Sequence, residues 1–156
     1  MRGRLIGVAV VLILVGAVVW QLANDDADTA AHTLTSLDPA GVHRIDITMK
    51  GLPPQHFERD GGHWSGNDQG RPADLVALAG TPVTEWKAAG DFDAAKIGLA
   101  PPLAVLTLDG TRIEYGELAA LGRQRYARIG DRVALIPAQA MPRPPKTQAL
   151  PTKPIL

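Results

Sequence analysis

The segment "LAVLTLDGTRIEYG", residues 103–116, decides the fold because it encodes a complete β-hairpin. Apolar and polar residues alternate on both sides of Asp109-Gly110, a dipeptide that favours a two-residue type I′ turn. The cross-strand pairs expected on the apolar face are Leu106 with Ile113 and Leu108 with Thr111. The residues expected on the opposite face are Val105, Thr107, Arg112 and Glu114. The segment therefore predicts an antiparallel strand pair with one buried and one polar face.

A second hairpin follows in "RYARIGDRVALI", residues 125–136. A Gly130-Asp131 turn sets Tyr126 opposite Leu135 and aligns a consistent apolar face.

A third hairpin is predicted earlier, in "FERDGGHW", residues 57–64. An Asp60-Gly61 turn would place Phe57 opposite Trp64 and Glu58 opposite His63, which gives one aromatic pair and one polar pair. A Gly61-Gly62 turn would instead place Arg59 opposite Trp64. We prefer the first register because it pairs the two aromatic side chains.

Four further segments complete the expected fold. Residues 42–49 alternate as a half-buried strand, and residues 83–88 form another strand with Val83 and Trp86 partly buried. Residues 71–80 predict a short helix with Pro72 at its first position and Gly80 just past its end. Residues 91–102 predict a second short helix, capped by Asp91 or Asp93 and ended by Gly98. The chain is thus expected to form a small α+β domain dominated by antiparallel hairpins.

An uncharged run of 19 residues, Leu5–Ala23, precedes this domain. As a helix it would extend about 28 Å, close to the hydrocarbon thickness of a bilayer. Arg2 and Arg4 precede the run and acidic residues follow it, so the positive-inside rule leaves the amino terminus in the cytoplasm. A cleaved signal peptide is the alternative, but a cut after Ala23 would put Gln21 at the minus-three position. We predict a retained transmembrane anchor.

The resulting organisation has four parts. Residues 1–23 form the anchor, residues 24–33 a polar linker, and residues 34–136 a periplasmic α+β domain. Residues 137–156 form a tail with six prolines in 20 residues, which should be extended or disordered. The protein is therefore expected in a bacterial inner membrane, single-pass, with its carboxy-terminal domain in the periplasm.

Composition argues against several functions. The 156 residues carry 16 basic and 16 acidic side chains, so no net field favours nucleic acid. The absence of cysteine excludes disulfides and thiolate chemistry. The four histidines lack metal-ligand spacing, and neither a phosphate-binding glycine loop nor a G-x-S-x-G elbow occurs. We predict a protein that is not an enzyme and has no cofactor, no metal and no catalytic residue.

Two clusters of polar residues are candidate sites. Arg125, Tyr126 and Arg128 interleave basic and aromatic side chains, so they are the candidate ligand-binding residues for an anionic polymer or small ligand. Strand alternation divides them between two faces, however, which also suits a solvated edge. Glu58 and His63 could form a proton-shuttling pair across two strands, although a hairpin tip is convex and offers no pocket.

Several of these motifs resemble the bacterial family called domain of unknown function 4340. Gly98-Leu99 followed by Pro102 before a strand, Trp64 after the Asp-Gly turn, and Tyr126 in a late apolar hairpin match its pattern. The resemblance covers residues 34–136; the chain departs from the family by its short length and single copy. It implies a membrane-anchored protein, with some members similar to auxiliary components of ATP-binding-cassette transport and gliding systems. It implies no catalytic residues.

These observations predict a non-enzymatic, membrane-anchored periplasmic accessory or protein-interaction domain that is auxiliary to an envelope transport system. The expected partners are the membrane, through Leu5–Ala23, and an unidentified envelope or inner-membrane protein. The alternative function is a binding module for an anionic envelope polymer or small ligand.

Overall fold

The computed structural model describes residues 32–66, 70–120 and 122–145. The predicted anchor Leu5–Ala23, most of the predicted linker and residues 146–156 of the tail lie outside these described residues. In the part that is described, no helix is long and apolar enough to span a bilayer.

Within the described chain, eight strands form a single antiparallel sheet in the order β3-β2-β1-β5-β6-β7-β8-β4. The strands are β1 (Arg44–Met49), β2 (Gln55–Asp60), β3 (His63–Trp64), β4 (Glu85–Ala88), β5 (Ala104–Leu108), β6 (Thr111–Leu118), β7 (Gln124–Ile129) and β8 (Arg132–Pro137). Most neighbours in the sheet are also neighbours in sequence, as expected for consecutive hairpins. The coarse expectation of a mainly antiparallel domain with little helix is confirmed.

Two of the three predicted hairpins have the predicted register. Leu106 lies opposite Ile113 across the Asp109-Gly110 turn, and Tyr126 lies opposite Leu135 across the Gly130-Asp131 turn. Asp109 adopts φ +45° and Gly110 φ +91°, the positive values that a type I′ turn requires.

The register preferred for the hairpin at residues 57–64 is wrong. Arg59 lies opposite Trp64 and Asp60 opposite His63, so the turn is Gly61-Gly62. Both glycines have positive φ, +54° and +87°, which costs glycine little and would strain aspartate. The Arg59 guanidinium stacks 4.7 Å from the centre of the Trp64 ring, and this cation–π contact replaces the expected aromatic pair.

The helix predictions need two corrections. The one α-helix with described bounds, α1 (Gly70–Ala77), places Pro72 at its third residue, and the next three residues to Gly80 form a 3-10 turn. The second predicted helix is only a single turn. There the Asp93 side chain accepts the Ala95 N–H, and Gly98, at φ +69°, ends the turn as predicted.

The inner face of the sheet, which carries Ile45 and Leu106, packs against α1 and forms the main core. The largest fully buried side chains on this face are Ile45, Ile47, Leu106, Leu108, Ile113, Tyr115 and Ile136. The Tyr115 hydroxyl has no hydrogen-bond partner within the described ranges, and its burial raises the pKa of the phenol. This core stabilises the domain.

The outer face divides into two halves. Residues 89–102 lie across β7 and β8, where Ile97 and Leu99 bury themselves against Val133 beside Phe92 and Tyr126. We call this region the covered half. The outward residues of β1, β2 and β5 are mostly exposed, and we call their surface the open half; they are Arg44, Asp46, Thr48, His56, Glu58, Val105 and Thr107.

The chain after β8 continues along the domain. Ala140 and Met141 pack against the main core, and Pro142 is buried. The first residues of the segment assigned to the proline-rich tail therefore form one wall of a groove beside α1.

Candidate functional site

The covered half is built around the "IGL" segment, Ile97-Gly98-Leu99. The Leu99 N–H donates to the Ala94 carbonyl and the Gly98 N–H to the Ala95 carbonyl, which is the Schellman pattern. This pattern satisfies the carbonyls of the preceding turn and directs Leu99 inward, where its side chain is 1 % exposed. The segment is therefore fixed on the sheet by backbone geometry and by burial.

A close approach to β6 positions the same segment. The Glu117 N–H donates to the Ile97 carbonyl at 2.9 Å, next to a register shift in β6 between Tyr115 and Leu118. A Cβ atom added to Gly116 would lie 2.4 Å from the Ile97 carbonyl oxygen. Only glycine at residue 116 leaves room for this contact, so β6 and the covering segment fit as one unit.

A buried carboxylate marks the boundary between the two halves. Glu114 is 8 % exposed, and each of its carboxylate oxygens accepts a hydrogen bond from one arginine. Nε of Arg112 donates at 2.9 Å and Nε of Arg128 donates at 2.6 Å. The Arg128 Nη2 also contacts the same oxygen as its Nε. Because the negative charge has two cationic donors, its burial is compensated.

The open half carries a line of alternating charges across β1 and β2. Arg44 Nη2 lies 3.0 Å from Glu58, and the His56 ring lies between Asp46 (2.6 Å) and Glu58 (3.2 Å). The hydrogen bond to Asp46, together with that to Glu58, raises the pKa of His56. Hydrogen bonds from His56 and then Arg44 lower the pKa of Glu58. This surface is polar, balanced in sign and exposed.

Asp109, in the turn between β5 and β6, contacts the start of β1 at one end of the open half. Its carboxylate accepts the backbone N–H of His43 and, at 2.7 Å, that of Arg44. The β5–β6 turn therefore fixes the start of β1.

Each of the three predicted ligand-binding residues makes a different contact within the protein. Arg125 donates to the carbonyls of Gly116 (2.5 Å) and Ala138 (3.3 Å), and burial lowers the pKa of its guanidinium. The Tyr126 ring packs edge-on against Phe92 at 5.6 Å within the covered half. Arg128 pairs with Glu114, as described above. The structure thus places Arg125 on the inner side of β7 and the other two on the outer side.

Glu58 and His63, considered as a proton-shuttling pair, are not cross-strand partners. His63 lies opposite Asp60, and its Nδ1 is 3.3 Å from the Gly61 carbonyl, whereas Glu58 contacts Arg44 and His56. In the ranges that the structure describes, no group of three metal-ligating side chains comes together.

A groove of about 310 Å³ lies between α1 and residues 139–144. Arg71 lines the groove: its Nε donates to Gln55 at 2.7 Å and its Nη1 donates to the Arg143 carbonyl at 2.8 Å. Apolar atoms come from Leu75, Leu78 and Met141, while Asp74 and Arg143 lie at the rim. Sequence reasoning missed this groove because its two walls lie more than 60 residues apart, beyond any local pattern.

Comparison with known proteins does not identify a relative of this chain. No protein-family profile matches the chain, and neither curated proteins nor solved structures include a significant match.

Proposed function

We propose that this protein is a non-enzymatic, single-pass protein of a bacterial inner membrane whose periplasmic domain binds a partner protein of the envelope. The partner contacts the open half of the outer face and presents a polar surface with charges of both signs. The proposal joins the apolar stretch Leu5–Ala23 to the asymmetry of the sheet.

The observation that carries the proposal is this asymmetry. One half of the outer face is packed by residues 89–102, while the adjoining strands β5, β1 and β2 present an exposed surface of ordered side chains. Ion pairs hold Arg44, His56 and Glu58 in fixed positions before any partner arrives. A preorganised polar surface reduces the ordering cost of binding and gives specificity through charge complementarity.

Binding of an anionic polymer through Arg125, Tyr126 and Arg128 has weaker support. Arg125 is committed to two backbone carbonyls and Arg128 to a carboxylate, so an incoming anion would compete with existing partners. A polymer would also need cations on one surface, whereas these two arginines lie on opposite faces of the sheet.

The resemblance to domain of unknown function 4340 suggests a class of partner. An auxiliary role beside a transporter would suit a small domain held at the membrane surface by a short linker. Membership of that family and the transport role are part of the proposal.

Site-specific photo-crosslinking in living cells tests the function. A photoreactive residue replaces Thr107, on β5 in the open half, or Lys96, whose side chain is 82 % exposed on the covering segment. The Thr107 variant should give a discrete crosslinked protein that is absent from the Lys96 variant. A discrete product from Lys96 alone, or identical products from both, would refute binding at the open half.

A fractionation arm tests the location. The full chain should stay with the inner membrane after alkaline wash, whereas a variant in which Val11 and Leu14 are both replaced by Asp should be released, because charges at the bilayer centre are costly. Quantitative release of the unaltered chain would contradict the anchor without bearing on the open half.

A further inference from the structure

A second site is suggested by the groove between α1 and residues 139–144, which is separate from the open half. Its volume, about 310 Å³, is at the lower end of the range of about 300–1,000 Å³ for small-molecule pockets. One wall is the helix α1 and the other is the irregular segment 139–144. Arg71 joins the two walls by its hydrogen bond to the Arg143 carbonyl.

The charges at the rim differ from those of the open half. Arg44, His56 and Glu58 are all in ion pairs. In contrast, within the described residues neither Asp74 nor Arg143 forms an ion pair with any other side chain, and the two do not pair with each other. A carboxylate and a guanidinium without ion-pair partners thus line the same groove.

Apolar side chains line the same groove. Leu75 is 2 % exposed and belongs to the main core, and Leu78 and Met141 pack against that core from the sides of the groove. A ligand that fits must therefore offer a cation to Asp74, an anion to Arg143, and an apolar group between them or beside them. Charge-assisted hydrogen bonds at both ends would fix its orientation, and the apolar lining would favour a branched aliphatic chain.

We propose that this groove binds a small zwitterion with an aliphatic side chain, either a free amino acid or a short peptide with free ends. The Asp74 carboxylate accepts the ligand ammonium, and the Arg143 guanidinium donates to the ligand carboxylate. Leu75, Leu78 and Met141 contact the aliphatic group. Arg71 is a positioning residue, because it holds the carbonyl of Arg143 and so the distance between the walls.

Calorimetric titration of the full chain in detergent micelles tests the proposal with four probes. L-Leucine carries all three features, glycine lacks the side chain, 4-methylpentanoate lacks the ammonium, and 3-methylbutylamine lacks the carboxylate. Leucine should bind saturably, and each of the other three should bind at least about tenfold more weakly, as the loss of one charge-assisted or apolar contact entails. No saturable heat with leucine, or equal affinity for leucine and glycine, would overturn the proposal.

Variants assign the two ends of the ligand. Asp74→Asn should weaken leucine binding at least about tenfold and leave 4-methylpentanoate binding unchanged, because that probe has no ammonium to lose. Arg143→Gln should weaken leucine binding and leave 3-methylbutylamine binding unchanged. Asp91→Asn, an exposed position outside the groove, is the matched control and should leave all affinities unchanged. Equal losses for every probe in the Asp74 variant would contradict the assignment.

A dileucine peptide distinguishes the two sources of this chemistry. Tighter binding than leucine would identify a peptide with free ends as the ligand, and weaker binding would identify the free amino acid. A protein fragment that lacks free ends but binds more tightly than either would contradict the zwitterion proposal.

Discussion

The two halves of the outer face differ in the interactions that their side chains make. In the covered half these interactions are apolar: Ile97, Leu99 and Val133 exclude water, and the backbone of β6 contacts the covering segment directly. In the open half they are exposed ion pairs, and no apolar residue of comparable burial is present among its described side chains. The contrast indicates that the covered half stabilises the domain, while the open half is the surface at which we propose partner binding.

The largest effect is expected from Gly116→Ala, which would break the covered half. The new Cβ would collide with the Ile97 carbonyl, and overpacking of this kind costs about 1–3 kcal/mol of unfolding free energy. Urea denaturation of the full chain, followed by tryptophan fluorescence, measures it. Gly90→Ala, in the same segment with no atom near its added Cβ, is the control and should change stability by less than about 0.5 kcal/mol. Equal effects would mean that residues 97–99 are not docked on β6.

The second prediction concerns the boundary residue Glu114. Glu114→Gln keeps the shape but removes the negative charge between Arg112 and Arg128. We therefore expect the unfolding free energy to fall by about 1.5–3 kcal/mol, the usual value of hydrogen bonds to charged groups. Glu85→Gln affects only an exposed pair with Lys87, so its loss should be under about 1 kcal/mol. The same denaturation measurement compares the two variants, and a smaller effect at Glu114 would contradict its role.

The third prediction compares the two Asp-Gly sequences. Asp109→Ala removes the acceptor of the His43 and Arg44 N–H groups and places alanine at positive φ, which should cost about 1–2 kcal/mol. Asp60→Ala should cost less than about 0.5 kcal/mol, because Asp60 lies in a strand end and the Gly61-Gly62 turn does not use it. Thermal unfolding that ranks the two variants in the reverse order would contradict the turn assignment.

The smallest effect concerns the ion pairs of the open half. Asp46 and Glu58 raise the pKa of His56, so protonated His56 stabilises the fold at low pH and this contribution is lost as pH rises through the raised pKa. An NMR titration of the His56 ring should show that Asp46→Asn moves the pKa back toward its ordinary value. An unchanged His56 titration in this variant would show that the two side chains do not interact in solution.

The Asp-Gly pairs also show how far the sequence predicts the fold. The hairpin at Asp109-Gly110 was predictable because one glycine follows the aspartate, so the turn had one obvious register. After Asp60 there are two glycines, and the choice depended on whether an aromatic pair or two positive-φ glycines contribute more. The backbone preference prevails, and the Arg59–Trp64 stack takes the place of the aromatic pair.

Long-range contacts account for what the sequence did not predict. The Gly98 stop was predicted from local chemistry, but its docking on Gly116 depends on a register shift in β6 that no periodicity indicates. Arg125 and Arg128 look alike in sequence, yet one binds backbone carbonyls and the other a carboxylate 14 residues away. The groove required two segments that only the folded sheet brings together.

Single-cysteine labelling tests the division between the halves most directly, because the chain contains no cysteine of its own. Thr48→Cys lies exposed in the open half, and Val133→Cys lies under the covering segment, where Val133 is 2 % exposed. A maleimide that cannot cross the inner membrane is added to cells with a permeabilised outer membrane. We predict rapid labelling at residue 48 and labelling at residue 133 only after denaturation; equal labelling of both, or labelling of residue 48 only after lysis, would contradict the account.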